Sequence, residues 1–341
     1  MKALVFKKKN HLEWQDLPAP LISGPGQAIV RPLAVARCDL DLPIVRGQTL
    51  FRPPFPLGHE FVGKIVQISE DLAADFHPGQ EVAVAFQISC GTCPACSQNH
   101  SRSCGTVNFA SNYGLGPSGR EFGGALCEAV LVPHAKSMLV PLPPNADLTA
   151  LASLSDNIVE AWKLAGQYLE NSPEKRVLVT GGLAASIGIY TAMLAKSMGA
   201  SVTYADTDKS RLEMAEKAGA QVLELNDWPK SLGEFELVCE AAGSPEAWNT
   251  ALRSVAPEGT VSSASIFFRN DVPIPYLEMY NKGVRLDIGR VHSRESMPRI
   301  LERVNRAGFD PGKVVTRTAP FADAAEAWLE ESTKLVIDMR P

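Results

Sequence analysis

The sequence predicts an α/β protein built from a β-rich part and a doubly wound parallel sheet with helices on both faces. Three observations carry the prediction. Up to about residue 145, short apolar runs are split by Gly and Pro, the texture of strands and turns. From about residue 150, strand-length and helix-length segments alternate. With 341 residues, 45% of them hydrophobic and 21% charged, the chain can hold two domains of roughly 100–200 residues each and bury their cores without disulfide staples.

In the first part, Ala28–Leu33, Gly63–Ile68, Glu81–Ala85 and Leu126–Val132 read as strands, and the basic run Lys7–Lys9 as a solvated hairpin turn. Residues Leu148–Leu169 have apolar positions at helical spacing and end at the turn Asn171-Ser172-Pro173-Glu174. The alternation then runs as strand Arg176–Thr180, helix Ser186–Met198, strand Ser201–Asp206 and helix Lys209–Ala218. It continues with strand Leu237–Glu240, helix Pro245–Ser254 and strand Gly259–Ala264. The tail reads as a helix from Glu295 to about Ala307, a strand near Lys313–Thr318, a helix Asp323–Glu331 and a strand Leu335–Met339.

A net charge of −5 gives no electrostatic reason to expect nucleic acid or an anionic membrane as partner. The N-terminus shows no secretory signal, and no run of about 18 apolar residues suggests a membrane span. A cytoplasmic protein is expected.

Four of the seven cysteines crowd into one short segment, Cys90, Cys93, Cys96 and Cys104, spaced C-x2-C-x2-C-x7-C. Thiolates at that density can close a tetrahedral zinc shell with no open position, which is a structural role. Gly91, Pro94 and Asn99 supply the turns that aim them at one point. Free thiols, two disulfides or an iron–sulfur cluster are the alternatives.

A second constellation is spread along the chain. Cys38 lies in Arg37-Cys38-Asp39-Leu40-Asp41, His59 in Gly58-His59-Glu60-Phe61-Val62-Gly63, and Asp156 in Leu154-Ser155-Asp156-Asn157. A thiolate, an imidazole and a carboxylate would leave zinc an open position for substrate. Asp41 is suited to accept the other ring N–H of His59 and so fix its tautomer. A lone Cys or a lone His is more often a core or surface residue than a ligand; the Gly-flanked His-Glu pair and the Cys-x-x-Asp about twenty residues upstream are what lift them.

After the apolar strand ending at Thr180 comes Gly181-Gly182-Leu183-Ala184-Ala185-Ser186-Ile187-Gly188. This is not a regular G-x-G-x-x-G. Gly181 and Gly182 would sit at the bend, the backbone N–H groups around Ser186 and Ile187 would face a pyrophosphate, and Gly188 would let the helix pack closely. The next strand ends at Asp206, an acid that suits the ribose hydroxyls of NAD and repels a 2′-phosphate. A turn or helix cap is the other reading for this acid, with Asp208 next door able to fill that role.

The order of His-Glu motif, four-cysteine lobe, βαβ segment and returning tail resembles the zinc-containing medium-chain dehydrogenases, over essentially the whole chain. The resemblance implies a GroES-like catalytic domain at 1–145 and 292–341, with a zinc lobe at 88–106, and a Rossmann domain at 146–291. It implies Cys38, His59 and Asp156 as ligands of a catalytic zinc, with Glu60 as an alternate ligand. Cys90, Cys93, Cys96 and Cys104 would hold a structural zinc, making two Zn2+ per chain. Arg211 matches a position near the adenosine ribose and Lys334 a basic position reaching the pyrophosphate. The function implied is hydride transfer between NAD(H) and an alcohol or polyol, or an aldehyde or ketone, in a homodimer or homotetramer. A metal-free enone or quinone reductase of the same fold, or a silent nucleotide-binding sensor, are the rivals.

Two departures stand out. Leu40 occupies the place where many members have a proton-relaying Ser or Thr, and it cannot hydrogen-bond; Pro43 stands near a second relay position. Glu160, four residues after Asp156, stands where Thr is usual. It is expected either to replace the lost relay or bind a substrate hydroxyl, or else to turn away to solvent or form a plain salt bridge.

Overall fold

The computed structural model describes residues 1–305 and 308–340. Its residues divide into two units, Met1–Val159 with His292–Glu302 and Pro311–Pro341, and Glu160–Val291 with Arg303–Asp310.

The first unit opens with the strands β1 (Lys2–Lys8) and β2 (His11–Asp16), a hairpin whose turn is Lys9-Asn10. The long strand β3 (Ala28–Ala36) is buried at every position but Arg31. Pro32 lies where its ladder with a neighbouring strand slips register, the irregular spot that a missing N–H requires. A short helix, α1 (Asp41–Val45), follows. Then come β4 (Phe55–Pro56), β5 (Glu60–Ile68), β6 (Glu81–Val84), β7 (Val130–Val132) and β8 (Leu139–Pro141). β1 pairs with β2 on one side and β4 on the other.

The expected single helix 148–169 is broken. A turn of helix at Leu148–Leu151 gives way to a tight turn, and helix α2 (Asn157–Ala161) begins afresh. The Glu60 carboxylate explains the restart, since it accepts the Asn157 N–H at 2.7 Å and so caps the new helix. A wider turn follows at Trp162–Gly166, where the Trp162 ring lies against the bare face of Gly166.

The second unit is a six-stranded parallel sheet. Its strands are β9 (Arg176–Thr180), β10 (Ser201–Asp206), β11 (Gln221–Glu224), β12 (Phe235–Glu240), β13 (Val255–Ser263) and β14 (Arg285–Ile288). They run in the order β11-β10-β9-β12-β13-β14, the doubly wound topology, in which ligands bind beyond the carboxyl ends of the strands at the switch between β9 and β12. Helix α3 (Ala185–Ser197) joins β9 to β10 and is buried from Ser186 to Ala195. Helix α4 (Lys209–Lys217) follows β10, α5 (Pro245–Arg253) follows β12 and α6 (Tyr276–Lys282) precedes β14. The packing of α5 and α6 on the sheet is led by Trp248, Leu252 and Met279.

The tail carries α7 (Ser293–Asn305); the end expected for this helix, Ala307, lies outside the described residues. Strands β15 (Arg317–Pro320) and β16 (Leu335–Asp338) return to the first unit. They complete its second sheet, in the order β15-β16-β3-β5-β6-β8, with β7 on β3. The strand expected at Lys313–Thr318 is a 3-10 turn at Pro311–Val314 and then β15. The helix expected at Asp323–Glu331 is only the short turn Ala324–Ala327. Arg37 donates from its guanidinium to the carbonyls of Trp328, Glu330 and Ser332, which draws that backbone away from a helical path.

Candidate active site

β3 and β5 are antiparallel with Ala36 opposite Glu60. That register sets the residues just past β3 beside those just before β5, so Cys38 comes to His59. Gly58 turns the chain into His59 with φ +89°, and a Cβ there would stand 2.8 Å from the backbone nitrogen of Leu126; only glycine meets both demands. Asp156 arrives from the break ahead of α2. Ligand atoms of Cys38, His59 and Asp156 all lie within 4.8 Å of one another. Cys38 and His59 are buried and Asp156 is half-buried.

Around them lies an excess of acid. His59 Nε2 is 3.3 Å from Asp156 Oδ2. Its Nδ1 faces Asp41 Oδ1 at 3.7 Å, beyond hydrogen-bond length, and both atoms lack a hydrogen-bond partner. The other Asp41 oxygen accepts the Cys38 N–H at 2.8 Å. Burial disfavours the charged imidazole, but Asp41, Asp156 and Glu60 outweigh it and push the His59 pKa up to about 9. Burial, reinforced by Asp156, Glu60 and Asp41, holds the Cys38 thiol well above its ordinary range. Burial raises Asp41 as well.

A divalent cation fits this donor set. Cys38, Asp41, Glu60 and Asp156 are four possible anions crowded about the His59 ring with the buried cations Lys334 and Arg37, and unpaired buried charge is costly. A metal that binds thiolate, imidazole and carboxylate would discharge the excess and still keep a fourth position.

Glu60 is not among the converging ligands. It is fully buried, and its oxygens accept from Ser153 Oγ at 3.0 Å, the Asn157 N–H at 2.7 Å and Lys334 Nζ at 3.0 Å. This corrects the place expected for Lys334. Its ammonium does not wait for a pyrophosphate. Lys334 is fully buried in the first unit, and its three N–H groups serve Glu60, Asn157 Oδ1 at 2.8 Å and the Arg37 carbonyl at 2.9 Å. Ser153, Asn157 and Arg37 are thus parts of the site's support that the sequence reading passed over. The restart of a helix at Asp156-Asn157 was the signal available. The side chain of Leu40 offers no hydroxyl, and its backbone N–H reaches the Cys38 sulfur at 3.5 Å.

The four cysteines of the lobe also converge, with all sulfurs within 4.8 Å of one another. Cys93 and Cys104 sulfurs stand 3.9 Å apart, far beyond a disulfide bond, and all seven cysteines are unpaired. The Cys90 sulfur accepts from the N–H groups of Thr92 and Cys93 and from both threonine hydroxyls, Thr92 and Thr106. Burial opposes ionisation there, and these hydrogen bonds overcome it and hold the thiol below its usual range. A four-sulfur shell without an open position is what a structural zinc needs.

In the second unit, the turn after β9 packs against two neighbours. A Cβ on Gly181 would stand 2.1 Å from the Tyr204 hydroxyl, and one on Gly182 2.5 Å from the Ala242 carbonyl. These glycines serve close approach. Gly188 does not, because a Cβ there would make ordinary 3.4 Å contact with Tyr204. Ser186 and Ile187 lie in the first turn of α3, after the break at Ala184. Asp206 ends β10 but is fully buried. Arg211, one turn into α4, grips it through Nε and Nη2 at 2.7 Å each. Asp208 caps α4 by accepting the Arg211 N–H. Glu160 is paired with Lys163, whose ammonium also donates to the carbonyls of Ser263 and Gly289; of the expected roles, the geometry shows the salt bridge. Glu240, at the end of β12, is a buried acid that the sequence reading took only for a strand end; its oxygens accept from Ala242, Gly243, Ser263 and Ser265.

Two family profiles match the chain, "Alcohol dehydrogenase GroES-like domain" over residues 24–144 and "Zinc-binding dehydrogenase" over residues 186–306. A medium chain reductase/dehydrogenase of Acremonium sp is 31% identical over 77% of this chain and 92% of its own length. An L-threonine 3-dehydrogenase of Streptomyces avermitilis is 29% identical over 99% of both chains. Among solved structures, the alcohol dehydrogenase of Thermus sp. ATN1 superposes with a TM-score of 0.87 at 28% identity, covering 100% of both chains. The β-rich unit is therefore GroES-like, the parallel sheet is of the Rossmann kind, and the chain belongs to the zinc-containing medium-chain dehydrogenases, a family of alcohol dehydrogenase-like oxidoreductases.

Proposed function

We propose that this chain is a nicotinamide-linked alcohol dehydrogenase that holds two zinc ions, one catalytic at Cys38, His59 and Asp156 and one structural at the four-cysteine lobe. The observation that carries the reading is the convergence of Cys38, His59 and Asp156 from three distant segments inside an acid-rich buried site. Zinc there supplies Lewis acidity toward an alcohol or carbonyl oxygen, and NAD(H) takes or gives the hydride. Oxidation of an alcohol or polyol would release one hydride, which a bound nicotinamide would take up, and one proton, which must reach solvent. The proton leaves by a route that bypasses residue 40, since leucine neither gives nor takes one. Asp41 orients the sulfur of Cys38 through the backbone and sets the charge beside His59. Glu60 and Lys334 brace the start of α2, and through it the carboxylate of Asp156. Gly181, Gly182 and the first turn of α3 would offer backbone N–H groups to a pyrophosphate.

No helix among the described residues is long and apolar enough to cross a membrane. A four-thiolate centre requires reduced cysteines, which favours the cytoplasm. A subunit contact at β14 and the segment leading into it is favoured by Ile266, Tyr276, Leu277, Tyr280 and Ile288, large apolar side chains left exposed between the end of β13 and the end of β14. A homodimer, or a homotetramer built from such pairs, would cover them.

The test is metal content and NADH release on a panel of alcohols, polyols and aldehydes. About two zinc per chain is expected, and Cys38→Ser should lose one zinc and at least about 100-fold in turnover. Full turnover by Cys38→Ser would favour metal-free reductase chemistry, and nucleotide binding without any turnover would favour a sensor.

A further inference from the structure

Asp156 comes to Cys38 and His59 from a turn ahead of α2, not from a strand. Its side chain is 16% exposed, so water competes for the carboxylate. What aims it is the backbone. Peptide groups are planar, so the direction in which a side chain leaves the chain follows from the two peptide planes that flank its residue.

Both planes beside Asp156 are held. The one after it carries the Asn157 N–H, which Glu60 accepts at 2.7 Å. The one before it carries the Ser155 carbonyl, and the Ser293 hydroxyl donates to that oxygen. The Ser155 hydroxyl is buried and finds no partner among the described residues, so the carbonyl is the point of attachment. Ser293 opens α7 and is fully buried. The first N–H groups of a helix have no partner inside it, and that of Ser293 goes to Gln87 Oε1 at 3.3 Å. Gln87 lies just past β6, is buried, and bridges through its backbone to Asn112. The hydroxyl therefore stands on a fixed backbone. Two residues on, Glu295 accepts from Ser101 Oγ of the cysteine lobe at 2.7 Å, a separate attachment of the same turn of helix. All these residues belong to the first unit.

We propose that Ser293 is a positioning residue for the third zinc ligand. With Glu60 it clamps Asp156 from both sides and sets the carboxylate toward Cys38 and His59. The inference rests on the catalytic-zinc reading above. Without the hydroxyl, the plane before Asp156 can turn and the carboxylate can swing to solvent, leaving a metal with a thiolate and an imidazole.

Full-length protein is prepared with zinc in the four-cysteine lobe and cobalt exchanged in at Cys38, His59 and Asp156. Visible absorption then reports the ligand geometry, and chelator competition the affinity. Ser293→Ala should shift the visible bands and weaken the bound metal at least about tenfold, the scale of loss when an outer partner of a ligand is removed. Ser293→Thr keeps the hydroxyl and should bind the metal within about threefold of the wild type. Ser101→Ala cuts the attachment of α7 to the lobe and leaves both Ser293 bonds, so its spectrum should match the wild type. Wild-type bands and affinity in Ser293→Ala overturn the inference. So does a threonine variant as weak as the alanine one, or a Ser101→Ala spectrum that matches Ser293→Ala, which would mean a general loosening of α7. Failure of the wild type to take cobalt at this site overturns the zinc reading itself, and the inference with it.

Discussion

Replacing Lys334 by Met should destabilise the first unit far more than a single charge at the end of a chain would suggest. Met has nearly the length of the lysine stem, so the change removes the ammonium and little packing. Three hydrogen bonds go with it, to Glu60, Asn157 and the Arg37 carbonyl, and Glu60 is left buried without its ion-pair partner. Breaking a fully buried pair costs about 3–5 kcal/mol. Ser153 and the Asn157 N–H still bond Glu60, which places the cost near the lower end, about 3 kcal/mol. For a unit of this size that corresponds to a fall in Tm of roughly 6–12 °C, measured by calorimetry on zinc-replete protein. The pair Lys334→Met with Glu60→Gln removes the stranded charge and should recover more than half of the loss, because replacing both partners of a buried pair is often nearly neutral. A single variant within about 1 kcal/mol of the wild type, or a double variant as unstable as the single, would refute the reasoning.

Cys104→Ser should lower the zinc content by one per chain and the Tm by at least about 10 °C, since the lobe folds on its metal. Cobalt bound at Cys38, His59 and Asp156 should keep its visible spectrum in that variant; loss of both metals would show that the two sites are not independent. Tyr280→Glu puts a charge beside Tyr276, whose ring stacks on that of Tyr280 with centroids 6.3 Å apart, and should shift the sedimentation profile toward the monomer. An unchanged profile would move the subunit contact away from the β14 edge.

The fold was legible where burial is one-sided and long. β9 and β10 carry runs of buried Val, Leu and Ala, and their helices follow at once. β11 and β14 escaped the reading because each is four residues of mixed polarity at a sheet edge, where the hydrophobic pattern that marks a strand has only one neighbour to answer to. Helix α6 escaped for the same reason: only Met279 on it is buried, so it presents no apolar stripe to the eye. The broken helix at 148–169 shows the opposite failure. Its apolar spacing is real, but the acid that interrupts it, Glu60, lies 97 residues before Asn157, and no local pattern announces a cap supplied from another strand.

The same distinction separates the parts of the site. The four cysteines sit within one short loop, so spacing alone brings their sulfurs together. The set Cys38, His59 and Asp156 needs the β3–β5 register and the break before α2. Lys334 reaches Glu60 only because β16 lies antiparallel to β3, with Val336 opposite Ala36. A matched position in a family therefore says which strand end a basic residue occupies and says nothing of which way its charge is drawn. Here the choice was between a solvent-facing phosphate and a buried carboxylate. With Glu60, Asp41 and Asp156 already gathered inside, the inward field was the stronger, and the lysine followed it. Arg211 obeys the same rule one step less completely: a buried aspartate claims two of its N–H groups, while a carboxylate oxygen of Asp208 at 3.5 Å faces its remaining nitrogen.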